Sequence, residues 1–179
     1  MSKAKLTKVS VALPGITGEW VADDVQRSAA WEMYVELVTR ISLQPLAEGD
    51  GLLGEALASL HVLFEETRRI LRSHGPSVAV PEKKRLLSFG AIAVDVLNVW
   101  LRPFLARWHT RLADHESRRA PTASLVEHER IWNEAAALRR ELADLRTKLV
   151  AYADLLAEAC GVASLHAVPE PATDPATPT

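Results

Sequence analysis

The chain has 179 residues, enough for one domain that buries its own core. A formal charge of -2 supplies no global field suited to nucleic acid or anionic lipid. One cysteine, Cys160, excludes an internal disulfide and a cysteine-based zinc site.

Lys3, Lys5 and Lys8 resemble the basic start of a secretory signal, but Pro14, Gly15 and Gly18 arrive before any adequate apolar run. Residues 1–22 therefore read as an extended N-terminal arm docked by Leu13, Ile16 and Trp20, with room for one short strand. Asp23 or Asp24 opens the first helix, whose apolar stripe is Trp31, Val35, Val38 and Ile41 and whose end is Gln44-Pro45. The second starts at Asp50 or Gly51, carries Leu53, Leu57, Leu60, Phe64 and Leu71, and stops at His74-Gly75-Pro76. After a loop over 76–84, a third helix runs from about Arg85 to Arg118. Pro103 lies inside it and predicts a kink. Its window from Leu86 to Trp108 is the most apolar in the chain. Asp95, Asn98, Arg102 and Pro103 interrupt that window, as expected of a buried helix and not of a membrane span.

The last helix is read as continuous from Leu125 to Cys160, with Ser124 and Glu127 as a capping box. Ile131, Ala135, Leu138, Leu142, Leu145, Leu149, Tyr152, Leu156 and Ala159 form its seam. Gly161 closes it, and the prolines at 169, 171, 175 and 178 predict a disordered tail over 162–179. The expected fold is all-α: an up-down-up-down four-helix bundle over 23–161, with the arm before it and the tail after it. At 1.5 Å per residue the third and fourth helices overhang the others by about 15 Å. The overhang exposes a helical hairpin near 100–135 that needs a partner. Trp20, Trp108, Leu112, Leu125 and Trp132 are the expected partner-binding residues.

Candidate chemistry is sparse. Arg69-Ile70-Leu71-Arg72-Ser73-His74 leaves four residues between an Arg and a His, five separate Arg68 from the same His, and six separate Arg102 from His109. Asn98, Arg102 and His109 share one helical face within about 40°. This spacing on a helical bundle resembles HEPN-type ribonucleases. In that family an Arg followed after four to six residues by His works at a dimer interface. The resemblance implies RNA as substrate, a His for proton transfer and an Arg for phosphate. The residue after the Arg is usually polar in that family; here it is Ile70 or Pro103.

Arg68, Arg69, Arg72, Lys83, Lys84 and Arg85 gather at one expected bundle end as an anion-binding candidate, offset in part by Glu65, Glu66 and Glu82. His109, His115 and His128 with Glu116, Glu127 and Glu129 flank one tight connection but match no metal-ligand spacing. No glycine-rich phosphate loop, nucleophile elbow or Cys–His pair is present. The expectation is a cytoplasmic, non-catalytic interaction or adaptor protein without metal or cofactor, which binds another protein or a second copy. A small bundle with a docking arm also resembles accessory helical proteins of bacterial conflict or defence loci. The alternative is a dimeric HEPN-like ribonuclease using Asn98, Arg102 and His109.

Overall fold

The computed structural model describes residues 7–40 and 51–165. It contains a β-hairpin, β1 (Thr7–Leu13) and β2 (Ile16–Ala22), followed by helix α1 (Asp24–Val38) and helix α2 (Leu53–His74). A 3-10 turn (Gly75–Ala79) leads toward α3 (Phe89–Ser117), and then come the short α4 (Leu125–Arg130) and α5 (Ala135–Cys160). The fold is mostly helical, yet it is not the all-α four-helix bundle read from the sequence. The difference begins at the N-terminus.

The expected arm is a hairpin built into the core. Pro14 and Gly15 make its two-residue turn, with Gly15 at φ 81, the left-handed value that the second position of a type II turn requires. Antiparallel pairing from Thr7↔Ala22 to Leu13↔Ile16 puts Val9, Val11, Leu13, Ile16, Trp20 and Ala22 on one face, and all six are buried. That face covers α5 and the start of α3. Trp100 Nε1 donates to the Pro14 carbonyl (3.0 Å), which ties the turn to α3.

Gln26 explains how the hairpin is locked. The Asp23 carboxylate caps α1 by accepting from the Gln26 N–H (2.8 Å). Fully buried, the Gln26 side-chain Oε1 accepts from Trp20 Nε1 (2.8 Å) and from the Phe89 N–H at the head of α3 (2.9 Å). Its amide donates to the Val80 carbonyl (3.3 Å). One side chain thus joins β2, α1, the loop and α3, and leaves none of these buried groups unpaired.

Helix α1 turns its other face inward. Ala29, Ala30, Met33, Tyr34 and Leu37 are buried, while Trp31 and Val35 of the expected stripe are 42% and 36% exposed. Both faces are apolar, and the one bearing alanines allows closer approach of α5. Ile41, Gln44, Pro45 and Asp50 lie outside the described residues. Helix α2 follows the sequence reading, with Leu53, Leu57 and Leu60 buried, Phe64 and Leu71 partly so, and an end at Gly75.

Pro103 does not break α3. Just upstream the helix widens into a π segment, Val96–Leu101, and the Arg102 N–H bonds the Leu97 carbonyl. Widening removes the conflict between the proline ring and the preceding turn without ending the helix. Helix α3 is long and apolar enough to cross a bilayer, but 56% of its most apolar window is buried inside the protein, as in a core helix.

The continuous last helix is the second correction. The chain breaks at 131–134 between α4 and α5. Ile131, placed in the seam by periodicity, is 74% exposed, whereas Trp132 turns inward at 7%. Trp132 meets Trp108 edge-on at 6.1 Å, so burial of the larger ring decides the local path. Ser124 is the N-cap residue of α4, but its side chain makes no capping bond. From Leu138 through Ala159 the seam holds, though Leu142 is only half-buried. Gly161 (φ 70) ends α5 in a Schellman motif: Gly161 N–H bonds the Glu158 carbonyl and Val162 N–H the Ala157 carbonyl, both at 3.0 Å. Most of the expected tail, from residue 166 onward, falls outside the described residues.

Tyr152 is fully buried on α5, and its hydroxyl finds no hydrogen-bond partner among the described residues. Burial drives its phenol well above the ordinary value of 10.0. Tyr152→Phe removes an unsatisfied group at nearly constant volume, so it is expected to stabilise the protein by up to about 1 kcal/mol, measured by urea unfolding. The unfolded state ionises first as pH rises. Wild-type stability therefore falls once pH passes about 10, and the Phe variant loses that part of the decline.

Candidate functional site

The two Arg–His pairs have different fates. Arg69 and His74 both bind Glu32 of α1, at 3.6 and 2.7 Å, and Arg69 also bonds Glu66 at 2.5 Å, a hydrogen bond that raises its pKa. These charges fasten α1 to the last turns of α2. The pair is absorbed by structure.

The second pair lies open on the ridge between α2 and α3. Where the π segment ends, the Asn98 Oδ1 accepts from Arg102 Nε (3.1 Å), and the Arg102 guanidinium sits 5.5 Å from the centre of the Phe64 ring. Both Asn98 and Arg102 are exposed, and Arg102 has no carboxylate partner among the described residues. One side hydrogen bond and one aromatic face hold its planar head without neutralising it. About two turns further along α3, His109 meets His61 of α2, with ring centres 5.9 Å apart and planes at 78°. Both imidazoles are exposed.

The structure thus brings Asn98 and Arg102 into contact and puts His109 on the same ridge. It adds two residues that the sequence reading did not assign to the site. In the sequence Phe64 reads as a core position only. His61 carried no signal, because its relation to His109 depends on how α2 aligns antiparallel to α3. A π segment beneath a polar cluster is itself a common mark of a working surface.

The expected partner-binding residues are corrected by burial. Trp20 (0%), Trp108 (1%), Leu112 (3%) and Trp132 (7%) are buried in this chain's own core, and only Leu125, at 36%, stands out. The overhanging hairpin is closed by its own side chains. Trp108 Nε1 donates to Glu141 (2.9 Å), and the Trp132 ring stacks on His115 at 5.4 Å. His115 in turn stacks on His128 at 4.0 Å. Each of these histidines approaches the other's backbone carbonyl through Nε2, at 2.8 and 2.9 Å. A carbonyl only accepts, so both Nε2 atoms carry protons. Glu129 is buried, and its carboxylate accepts from the Leu53 N–H at 2.8 and 2.9 Å. Within the expected His and Glu cluster, His115, His128 and Glu129 therefore serve helix ends, and no group able to hold a metal is found among the described residues.

Of the anion-binding candidates, Arg68 is paired with Glu65 (3.2 Å) and Arg69 with Glu66 and Glu32. Arg72, Lys83, Lys84 and Arg85 are exposed without a carboxylate partner among the described residues. Cys160 is half-buried 3.5 Å from the Arg27 carbonyl, and burial raises its pKa. Such a thiol is a structural one.

A cleft of about 730 Å³ opens beside Leu52, Trp132 and Arg139, and a shallower one of about 410 Å³ beside Trp31 and Cys160; neither touches the ridge. No family model, curated protein or solved structure matches this chain.

Proposed function

We propose that the protein is a non-catalytic helical interaction protein, acting in the cytoplasm, whose contact surface is the α2–α3 ridge. Its partner is a protein that offers an acidic segment. The observation that carries this reading is Arg102: exposed, steadied by Asn98 and Phe64, and free of any carboxylate among the described residues. An arginine held in place loses little freedom on binding, and arginines of this kind are frequent anchors of interfaces. The neighbouring His61 and His109 add no negative charge that would repel a carboxylate. Arg102→Glu is expected to weaken retention of the partner by roughly 30-fold, the equivalent of about 2 kcal/mol. The check is affinity capture on immobilised wild-type, Arg102→Glu and Arg119→Glu proteins, followed by titration with the acidic segment of what is retained. Equal retention by the first two sinks the reading; loss with Arg119→Glu as well reduces it to general charge.

One observation favours a second reading as a ribonuclease. His61 and His109 face each other across the ridge, and Arg102 lies further along it. Two imidazoles, one taking and one giving a proton, with an arginine against phosphate, are the groups that phosphodiester cleavage uses. On this reading His109→Ala and His61→Ala each abolish cleavage of a single-stranded RNA while the helical circular dichroism stays unchanged. Wild-type protein that leaves the RNA intact excludes it.

A further inference from the structure

No described residue pairs with the outer edge of β1. In an antiparallel ladder, residues alternate between those whose N–H and C=O point at the partner strand and those whose groups point away. The two-residue turn makes Leu13↔Ile16 an inward pair, so Val9 and Val11 also bond β2 while Lys8, Ser10 and Ala12 point their backbone groups outward. The other edge of the hairpin confirms the phase. Glu19, opposite Ser10, directs its carbonyl away from β1 and accepts from the Leu87 N–H at 2.7 Å. The loop thereby covers β2. Among the described residues nothing equivalent covers β1: Lys8, Ser10 and Ala12 are exposed, and none of the described residues bonds their backbone groups.

Natural edges are guarded by prolines, bulges or inward charges. This one has only Lys8, whose ammonium is drawn to Glu19 at 2.8 Å across the hairpin. We propose that β1 pairs antiparallel with β1 of a second copy, joining two hairpins into one four-stranded sheet about a twofold axis. The sequence of the strand is complementary to itself. In the register that sets Ser10 against its own copy, Lys8 stands opposite the partner's Ala12. Every outward N–H and C=O of the strand then finds a mate within the same seven-residue segment. The two lysines do not oppose each other, so pairing brings no like-charge clash. Side-chain alternation is kept, with Val9 and Val11 of both copies on the helix side of the sheet and the small Ser10 and Ala12 on the open side. This surface is separate from the α2–α3 ridge and stands or falls without it.

The test uses the full chain and a variant chosen from the phase of the ladder. Ser10→Pro removes an N–H that points outward, a place where an edge strand tolerates proline, so the hairpin itself survives. Light scattering is expected to give twice the 19.7 kDa chain mass for wild type and the single mass for Ser10→Pro, with equal helical circular dichroism. A wild-type mass of one chain at near-millimolar concentration overturns the proposal, and so does a folded Ser10→Pro that remains a dimer. Should the proline variant fail to fold, amide hydrogen exchange of wild type decides. Protection of Ser10 and Ala12 that grows with concentration supports the pairing, and fast exchange there beside protected Val9 and Val11 refutes it.

Discussion

Trp20→Ala is expected to destabilise the protein by about 3–5 kcal/mol, the cost of emptying a buried indole site that the surroundings refill only in part. Trp20 is fully buried, packs 6.3 Å from the Phe89 ring, and spends its N–H on Gln26. Removing it opens a cavity where β2, α1 and α3 meet and leaves Gln26 with a donor missing. Urea unfolding followed by circular dichroism measures the effect, and the melting temperature should fall by roughly 10 °C or more. Trp20→Phe keeps most of the apolar volume and loses the hydrogen bond, so it costs about 1–3 kcal/mol. A loss below about 1 kcal/mol for the alanine variant means that the hairpin is an appendage and not part of the core. By the same reasoning deletion of residues 1–22 unfolds the chain, because it removes Val9, Val11, Leu13, Ile16 and Ala22 from the core along with Trp20.

Glu129→Ala should cost about 2–4 kcal/mol, a large effect for a polar residue. The first residues of α2 have N–H groups with no partner inside the helix, and Leu52, its N-cap, offers no side-chain acceptor. Glu129 supplies the acceptor from α4, 76 residues away, with Arg139 at 3.9 Å beside its carboxylate. Leu53 is itself fully buried, so its N–H has no water to fall back on once the carboxylate is gone. Negative charge at the head of α2 also complements the helix dipole. Glu129→Gln retains an acceptor in the same place and is expected to lose about half as much. Faster amide exchange at Leu53 and Gly54 in the alanine variant locates the damage; unchanged exchange there shows that α2 is capped by another route.

Local signals made much of this protein legible from its sequence. Asp23 before Asp24, the Leu53, Leu57 and Leu60 row of α2, the stop at Gly75-Pro76 and the Leu138 to Leu156 seam closed by Gly161 all appear in the structure where the sequence places them. Each depends on groups within a turn or two along the chain: a side-chain cap, a period of 3.6, a glycine that accepts positive φ. Asn98 and Arg102 belong to this class too, since they are one turn apart on α3.

Tertiary structure decided the rest, wherever two local solutions were nearly equal or the partner was remote. Helix α1 carries two apolar faces, and packing against α5 selected Ala29, Ala30 and Met33 over Trp31 and Val35. The alternation of β2 is hidden in Ile16-Thr17-Gly18-Glu19-Trp20, because the inward position opposite Val11 is a glycine. Trp132 overruled the heptad at Ile131, since burying an indole against Trp108 outweighs one more residue in the seam. The contact of His61 with His109, the hold of Glu129 on Leu53 and the bare edge of β1 all depend on elements far apart in the chain. Local periodicity records which residues prefer to be buried; only competition for the same core determines which of them are, and what the remaining surface presents.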